Sequence, residues 1–125
     1  MSKQELYNRL LKDLNKLGVD TDCFDLSIRG YSKTYFGTYN PNNNKISLYV
    51  YPYKDSVFMY PYKDIFKTLL HEVSHYLQYQ DPFFIRYKGI MHNKEFYLIY
   101  NKLISKSIKR GILRKEDTVV EESAS

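Results

Sequence analysis

The sequence has few of the residues that cross-link a chain or carry it through a membrane. Cys23 is the only cysteine among 125 residues, which excludes an internal disulfide, a CxxC redox pair and a four-cysteine zinc ribbon. There is no run of about 18 apolar residues, as a transmembrane helix would need. The N-terminal residues MSKQELYNRL lack the apolar stretch of a signal peptide. We therefore expect a cytoplasmic protein with no membrane partner.

Glycine and tryptophan are also scarce. The five glycines are scattered, so no glycine-rich phosphate-binding loop is present, and there is no tryptophan. Tyrosine is abundant instead, with 14 residues, which we interpret mainly as amphipathic core and rim positions. With 43% hydrophobic and 26% charged residues, the chain has the composition of one globular domain.

The charge is positive but unevenly distributed. Residues 116–125 contain four acidic side chains and no basic one. Since the whole chain carries +5, removing these four negative charges leaves +9 on the other 115 residues. A basic body with an acidic tail favours an anionic partner, nucleic acid above all, so DNA is a possible partner. The alternative is a lysine-rich surface that only maintains solubility.

Apolar spacing predicts a helix at the start of the chain and a small sheet after it. Ser2 and Glu5 form a capping-box pattern, and leucines then recur at helical spacing, so a helix is expected over residues 3–17. Alternating apolar and polar residues at 24–29 and 46–51, with a stretch rich in Thr, Tyr and Phe at 32–39 between them, predict three strands. An asparagine-rich turn around Asn42 predicts a hairpin, so we expect a mostly antiparallel sheet.

Two further helices are expected after the sheet. An apolar stripe predicts a helix over residues 65–80, with Asp64 as its N-cap. An apolar connection at 83–91 leads to a second stripe, which predicts a long helix capped by Asn93. The expected fold class is therefore α+β, with an N-terminal helix, a small three-stranded sheet and two C-terminal helices.

An HExxH motif lies within the first of these two helices. Residues 71–75 are His-Glu-Val-Ser-His. His71 and His75 would lie about 40° apart around the helix axis, so both imidazoles can reach one metal ion. Glu72 lies beside them and can take a proton from water whose pKa a zinc ion lowers. The alternative is a pair of solvated histidines on an exposed helix face.

A catalytic zinc site needs a third protein ligand, and three positions are candidates. His92 is favoured, because the 16 residues between it and His75 let the next helix return to the site. Glu95 lies one helical turn further along. Asp81 has the spacing of the third ligand in HExxHxxGxxH enzymes, but Gln78 stands where that motif uses glycine to turn the chain.

Two short segments of the sequence resemble the motifs of a known family. The residues LLHEVSH, followed by HNKEF at 92–96, are similar to the SprT-like (Spartan-type) zinc metallopeptidase domain over about residues 3–108. That family pairs an HExxH helix with a downstream HGxxF or HGxxW motif, whose histidine is the third ligand. Asn93 stands where the family has glycine, and asparagine tolerates left-handed backbone better than most residues.

The resemblance implies a role for each residue of the two motifs. By that resemblance, the zinc ligands would be His71, His75 and His92. Glu72 would be the general base. Phe96 would pack beneath the third ligand.

The resemblance also implies an activity for the chain. Residues 1–112 would form a zinc metallopeptidase domain that hydrolyses an intracellular protein substrate. The charged residues after it predict a flexible tail at 113–125. Spartan-type members cleave proteins crosslinked to DNA, and the basic body is compatible with that role. Longer members add a cysteine zinc ribbon or other DNA-binding modules, and this sequence contains no such ribbon.

Two alternatives remain open on the sequence. ImmA/IrrE-like peptidases, which cut regulatory proteins, share the HExxH helix. A non-catalytic DNA-binding module would keep zinc for structure alone. Glu72 argues against the second alternative, because a structural zinc site has no use for that carboxylate.

Overall fold

The computed structural model describes residues 1–81 and 92–118. These residues form three α-helices and one three-stranded sheet. In chain order they are α1 (Lys3–Lys16), β1 (Asp25–Arg29), β2 (Gly37–Asn40), β3 (Lys45–Tyr49), α2 (Tyr62–Gln80) and α3 (Lys94–Lys109). This order confirms the predicted α+β class. The expected apolar connection at 83–91 lies outside the described residues. Within the described part of the chain, no helix has the length and apolar character needed to cross a membrane.

The sheet is mixed, whereas the sequence predicted a mostly antiparallel one. Its strand order is β1-β3-β2. β2 and β3 form the predicted antiparallel hairpin, with Gly37 opposite Leu48. β1 pairs with the other side of β3 in parallel, with Asp25 opposite Lys45. β3 carries the most deeply buried side chains of the sheet, Ile46 and Leu48, so it takes the central position and leaves β2 at an edge.

α1 begins and ends close to the predicted limits. The Glu5 N–H donates to Ser2 Oγ at 3.1 Å, and the Ser2 N–H donates to Glu5 Oε1 at 3.3 Å, which completes the capping box. Gly18 follows the helix with a φ of 81°, a conformation that glycine adopts readily. The leucines at helical spacing, Leu6, Leu10 and Leu14, are buried in the core.

α2 begins three residues earlier than predicted. Pro61 occupies the N-cap position, and its φ of −54° leads directly into the helix at Tyr62. Asp64 is therefore not the N-cap; it lies in the first turn, where a carboxylate interacts favourably with the helix dipole. The helix ends at Gln80, as the sequence predicted.

α3 begins where the sequence predicted. The Asn93 side-chain oxygen accepts a hydrogen bond of 2.9 Å from the Phe96 N–H and so caps the helix. Gly111, with a φ of 76°, follows its end. α1 packs on β1, α2 packs on β2 and β3, and α3 packs on α2. This layering places α2 between the sheet and α3.

The packed structure continues past the boundary expected at residue 112. Leu113 is buried in the core. A short 3₁₀ turn, Lys115–Asp117, follows it. Lys63 Nζ lies 3.3 Å from Asp117 Oδ1, and Lys67 Nζ donates to the Asp117 carbonyl at 2.8 Å. Residues 113–118 therefore lie against α2, and the rest of the expected tail lies outside the described residues.

Candidate metal centre

Three imidazole rings meet where α2 faces the start of α3. Nε2 of His92 lies 3.0 Å from Nε2 of His71 and 3.1 Å from Nε2 of His75. The candidate ligand atoms of the three side chains all lie within 4.8 Å of one another. The predicted histidines are thus positioned to hold one metal ion.

Local structure brings these rings together from two helices. The i, i+4 spacing on α2 places the ring centroids of His71 and His75 5.0 Å apart. His92 immediately precedes Asn93, the cap of α3. Gln78 Nε2 donates to Asn93 Oδ1 at 3.2 Å, and this bond ties the start of α3 to α2. Gln78, which the sequence marked only as a missing glycine, thus helps to set where His92 lies.

Phe96 forms the floor of the cluster. Its side chain is 0% exposed, and its ring centroid lies 4.6 Å from that of His75 and 4.9 Å from those of His71 and His92. The rings of Phe96 and His75 are nearly parallel, at 30°. The contact that the resemblance implied beneath one ligand therefore extends to all three, and it restricts how the imidazoles can turn.

The other two candidate ligands do not join the cluster, which in the described residues consists of histidines alone. Asp81 follows the last residue of α2, and Glu95 lies in the first turn of α3. Burial and the neighbouring Asp81 carboxylate raise the pKa of Glu95. Because α2 continues as a helix through Gln78, the chain does not turn back as HExxHxxGxxH enzymes require. Of the three candidates, only His92 reaches the HExxH histidines.

The environment keeps the motif histidines neutral. Burial, with a smaller effect of the other two imidazoles, lowers the pKa of His71 to about 4. Burial and the nearby His92 lower the pKa of His75 to about 4, with Gln78 acting in the opposite direction. At neutral pH both rings therefore have a lone pair available for a metal ion.

Glu72 is a buried carboxylate, and one of its oxygens has no hydrogen-bond partner among the described residues. It is 6% exposed, and its Oε2 atom makes no hydrogen bond in the described structure. Burial raises the pKa of Glu72 to about 7. A carboxylate with such a pKa can accept a proton and return it at neutral pH. Burying an unpaired polar group costs about 1–3 kcal/mol, so its presence here is typical of a functional site.

Gly37 is a residue of the site that the sequence analysis missed. A Cβ atom at this position would lie 2.8 Å from Thr68 Cγ2 and 3.2 Å from both Glu72 Cγ and Leu48 Cδ2. Only glycine therefore lets the edge strand β2 approach α2 beside Glu72. The available signal was a lone glycine within a stretch rich in Thr, Tyr and Phe, which is typical of close backbone approach.

A groove of about 840 Å³ gives access to the site. His71, Glu72 and Gly37 line it, together with Tyr100 of α3. The ring centroid of Tyr100 lies 6.0 Å from that of His71. Tyr100 is a second residue of the site that was not predicted, although its i+4 spacing from Phe96 places the two on one face of α3. A molecule in the groove would therefore contact Glu72 and His71 together.

The geometry of the cluster fits an ion of the size of zinc. In a tetrahedral site with Zn–N bonds of about 2.0–2.1 Å, the ligand nitrogens lie about 3.3 Å apart. The two Nε2 separations that involve His92, 3.0 and 3.1 Å, are close to that value. Nδ1 of His75 is buried without a hydrogen-bond partner in the described residues, so the Nε2 side carries the ring's polar contacts.

Comparison of the chain with protein-family models, with curated proteins and with solved structures finds no match. The SprT-like resemblance therefore stays a prediction that rests on the residues of the two motifs.

Proposed function

We propose that the protein is a zinc-dependent peptidase of the SprT-like type, which hydrolyses peptide bonds of a protein substrate. The single observation that carries this proposal is the position of the buried Glu72 carboxylate in the groove that His71 also lines. A base and a metal-binding cluster thus adjoin one open space, as hydrolysis of a peptide bond requires.

The residues have complementary tasks in this chemistry. The zinc ion would be held through the Nε2 atoms of His71, His75 and His92. When bound, zinc supplies Lewis acidity, which makes water more acidic and polarises a carbonyl group. Glu72 takes the proton from the water that attacks the scissile carbonyl carbon, and then gives it to the departing amine nitrogen.

The donor set favours a catalytic zinc site over a structural one. Structural zinc sites are closed by four protein ligands, whereas catalytic sites use three and leave one position open. The cluster in the described residues contains three histidines and no fourth ligand. A non-catalytic module would also bury the Glu72 carboxylate at a cost and without a purpose.

The basic body supports DNA as a second partner of this peptidase. Without the four acidic residues of 116–125, the chain carries +9. Phosphate contacts made by such a surface would weaken steeply with salt, because binding releases counterions. Salt dependence therefore distinguishes a DNA-associated peptidase from an ImmA/IrrE-like enzyme that acts on a regulatory protein alone.

The test is Glu72→Gln, which keeps the shape of the side chain and removes the base. We expect the variant to retain zinc, while cleavage falls by about two to four orders of magnitude, the range typical of a lost general base. Cleavage of the protein itself and of a DNA-bound basic protein is followed by electrophoresis. Binding to single-stranded DNA is measured in parallel at two salt concentrations.

The matched control is Glu95→Gln, the same substitution on the neighbouring helix and outside the histidine cluster. It should keep both zinc and cleavage. Equal cleavage by wild type and Glu72→Gln would show that the activity does not come from this site. Salt-sensitive DNA binding without any cleavage would instead favour the binding module. Cleavage without DNA binding would favour the ImmA/IrrE-like alternative.

A further inference from the structure

An apolar cavity of about 290 Å³ opens beside the groove of the metal site. Part of its wall belongs to the hydrophobic core, and the rest is aromatic. The apolar wall residues are Leu48, Val50, Ile65, Phe36, Tyr49 and Tyr60. A space of this size and lining is suited to an apolar group of a ligand.

The cavity is a side branch of the groove. Phe36, Asp64 and Thr68 line both spaces. Along α2, Thr68 lies three and four residues before His71 and Glu72, a rise of about 4.5–6 Å. An extended peptide advances about 3.3 Å per residue. A side chain that enters the cavity would therefore lie about one to three residues from a peptide bond held at Glu72.

The outer wall of the cavity is an exposed ring held in place. Phe36 is 65% exposed, which is unusual for so large an apolar side chain. Its carbonyl accepts a hydrogen bond of 2.9 Å from the Tyr49 N–H, and its ring meets that of Tyr60 edge to face at 5.6 Å. The ring thus provides an ordered apolar surface at the mouth of the cavity.

Two polar side chains of the cavity wall, Thr68 and Asp64, already have partners. Thr68 Oγ1 donates to the Asp64 carbonyl at 3.0 Å, and the Asp64 carboxylate lies 3.6 Å from Lys67 Nζ. A polar or charged side chain would lose its hydration in the cavity and gain little in exchange. An apolar side chain, in contrast, would gain the full benefit of leaving water.

We propose that this cavity is a specificity pocket, which takes a bulky apolar side chain of the substrate close to the scissile bond. Phe, Leu, Ile and Met are the side chains that fit this description. The inference rests on the proposed function, because it assigns a substrate class to the same site. It predicts cleavage within apolar segments, which are accessible in unfolded or locally opened proteins.

The first test compares wild type with Ile65→Phe, which fills the cavity from α2. Both proteins, loaded with zinc, cleave a library of unstructured peptides, and the products are read by mass spectrometry. For wild type we expect bulky apolar residues to be preferred over Ala by about tenfold or more at one position within three residues of the cleaved bond. Ile65→Phe should remove that preference and still cleave peptides with small residues there.

The matched control is Ile99→Phe. Ile99 lines a different cavity, which shares no wall residue with the first one. This variant should keep the preference of the wild type. Phe36→Ala alters the pocket in a second way. Because Phe36 is exposed, this variant should fold even if Ile65→Phe does not, and its preference for apolar residues should be weaker than that of wild type.

A binding measurement separates this inference from the peptidase proposal. The same peptide pool is incubated with Glu72→Gln and with the double variant Glu72→Gln/Ile65→Phe, and the retained peptides are identified. Enrichment of apolar peptides on Glu72→Gln, and loss of that enrichment on the double variant, would support the pocket. This result would count even if wild type cleaved peptides no faster than Glu72→Gln, which would contradict the peptidase proposal alone. Three outcomes would contradict the pocket: cleavage without an apolar preference, an apolar preference that persists in folded pocket variants, or no apolar enrichment in either assay.

Discussion

The two faces of α2 are both buried, but their surroundings differ. One face gives the core four side chains that are 0% exposed: Phe66, Leu69, Leu70 and Val73. The other face carries Glu72 and His75, which are 6% and 7% exposed and have buried polar atoms without partners among the described residues. Burial stabilises the folded state on the first face, whereas on the second it costs about 1–3 kcal/mol for each unpaired group.

This difference separates a core from a site more clearly than exposure does. Exposure alone would place Glu72 with the core residues. Its pKa of about 7 and its unpaired oxygen set it apart, because a helix selected only for stability would not keep such a group. The comparison predicts that changes on the core face act on folding and that changes on the site face act on metal binding and activity.

The largest effect is expected on the core face. Phe66→Ala should lower the free energy of unfolding by about 3–5 kcal/mol, because it leaves a cavity among apolar neighbours. The decrease should be the same with and without zinc. Zinc itself should add about 2.7 kcal/mol at a free concentration of 100 times its Kd, in the wild type and the variant alike. Denaturant unfolding of metal-free and zinc-loaded protein measures both effects, and loss of the zinc effect in Phe66→Ala would show that the faces are coupled.

The next effect concerns the candidate metal ligands. His92→Ala should lower zinc affinity by more than about 100-fold, since loss of a supporting hydrogen bond alone costs about 10–100-fold. Asp81→Ala should leave the affinity nearly unchanged, because Asp81 lies outside the cluster. Competition with a zinc chelator measures both constants. A strong effect of Asp81→Ala with a weak one of His92→Ala would favour the HExxHxxGxxH arrangement instead.

The smallest effect is expected at the contact between the edge strand and the site face. Gly37→Ala places a Cβ 2.8 Å from Thr68 Cγ2 and 3.2 Å from Glu72 Cγ, so β2, α2 or these side chains must shift. Since a misplacement of about 1 Å can cost about 100-fold in rate, we expect activity to fall about tenfold with zinc affinity unchanged.

Thr68→Ser provides the control for this contact, since it removes the methyl group that the new Cβ meets first. Added to Gly37→Ala, it should restore most of the activity, as measured by kcat/KM on one peptide. An unaltered rate in Gly37→Ala alone would show that β2 moves away without affecting Glu72.

Features that depend on near neighbours in the chain were predictable. The capping box of Ser2 and Glu5, the Asn93 cap and the end of α2 at Gln80 follow from hydrogen bonds and apolar periodicity within a few residues. The start of α2 was placed too late because Asp64 suits a cap and a first turn equally well. The parallel pairing of β1 with β3 was missed, since two strands joined by a short connection are usually neighbours.

The sequence by itself determined that His71 and His75 share one helix face with Glu72 beside them, because helix periodicity is a local property. Only the tertiary structure decided that His92 completes the cluster, since that depends on how α3 packs against α2 across the intervening chain. It also decided the pKa of Glu72, because elements distant in sequence bury this side chain. One of them is β2, which approaches Glu72 closely at Gly37. Spacing along a helix can thus be deduced from residue types, whereas desolvation requires the positions of every neighbour.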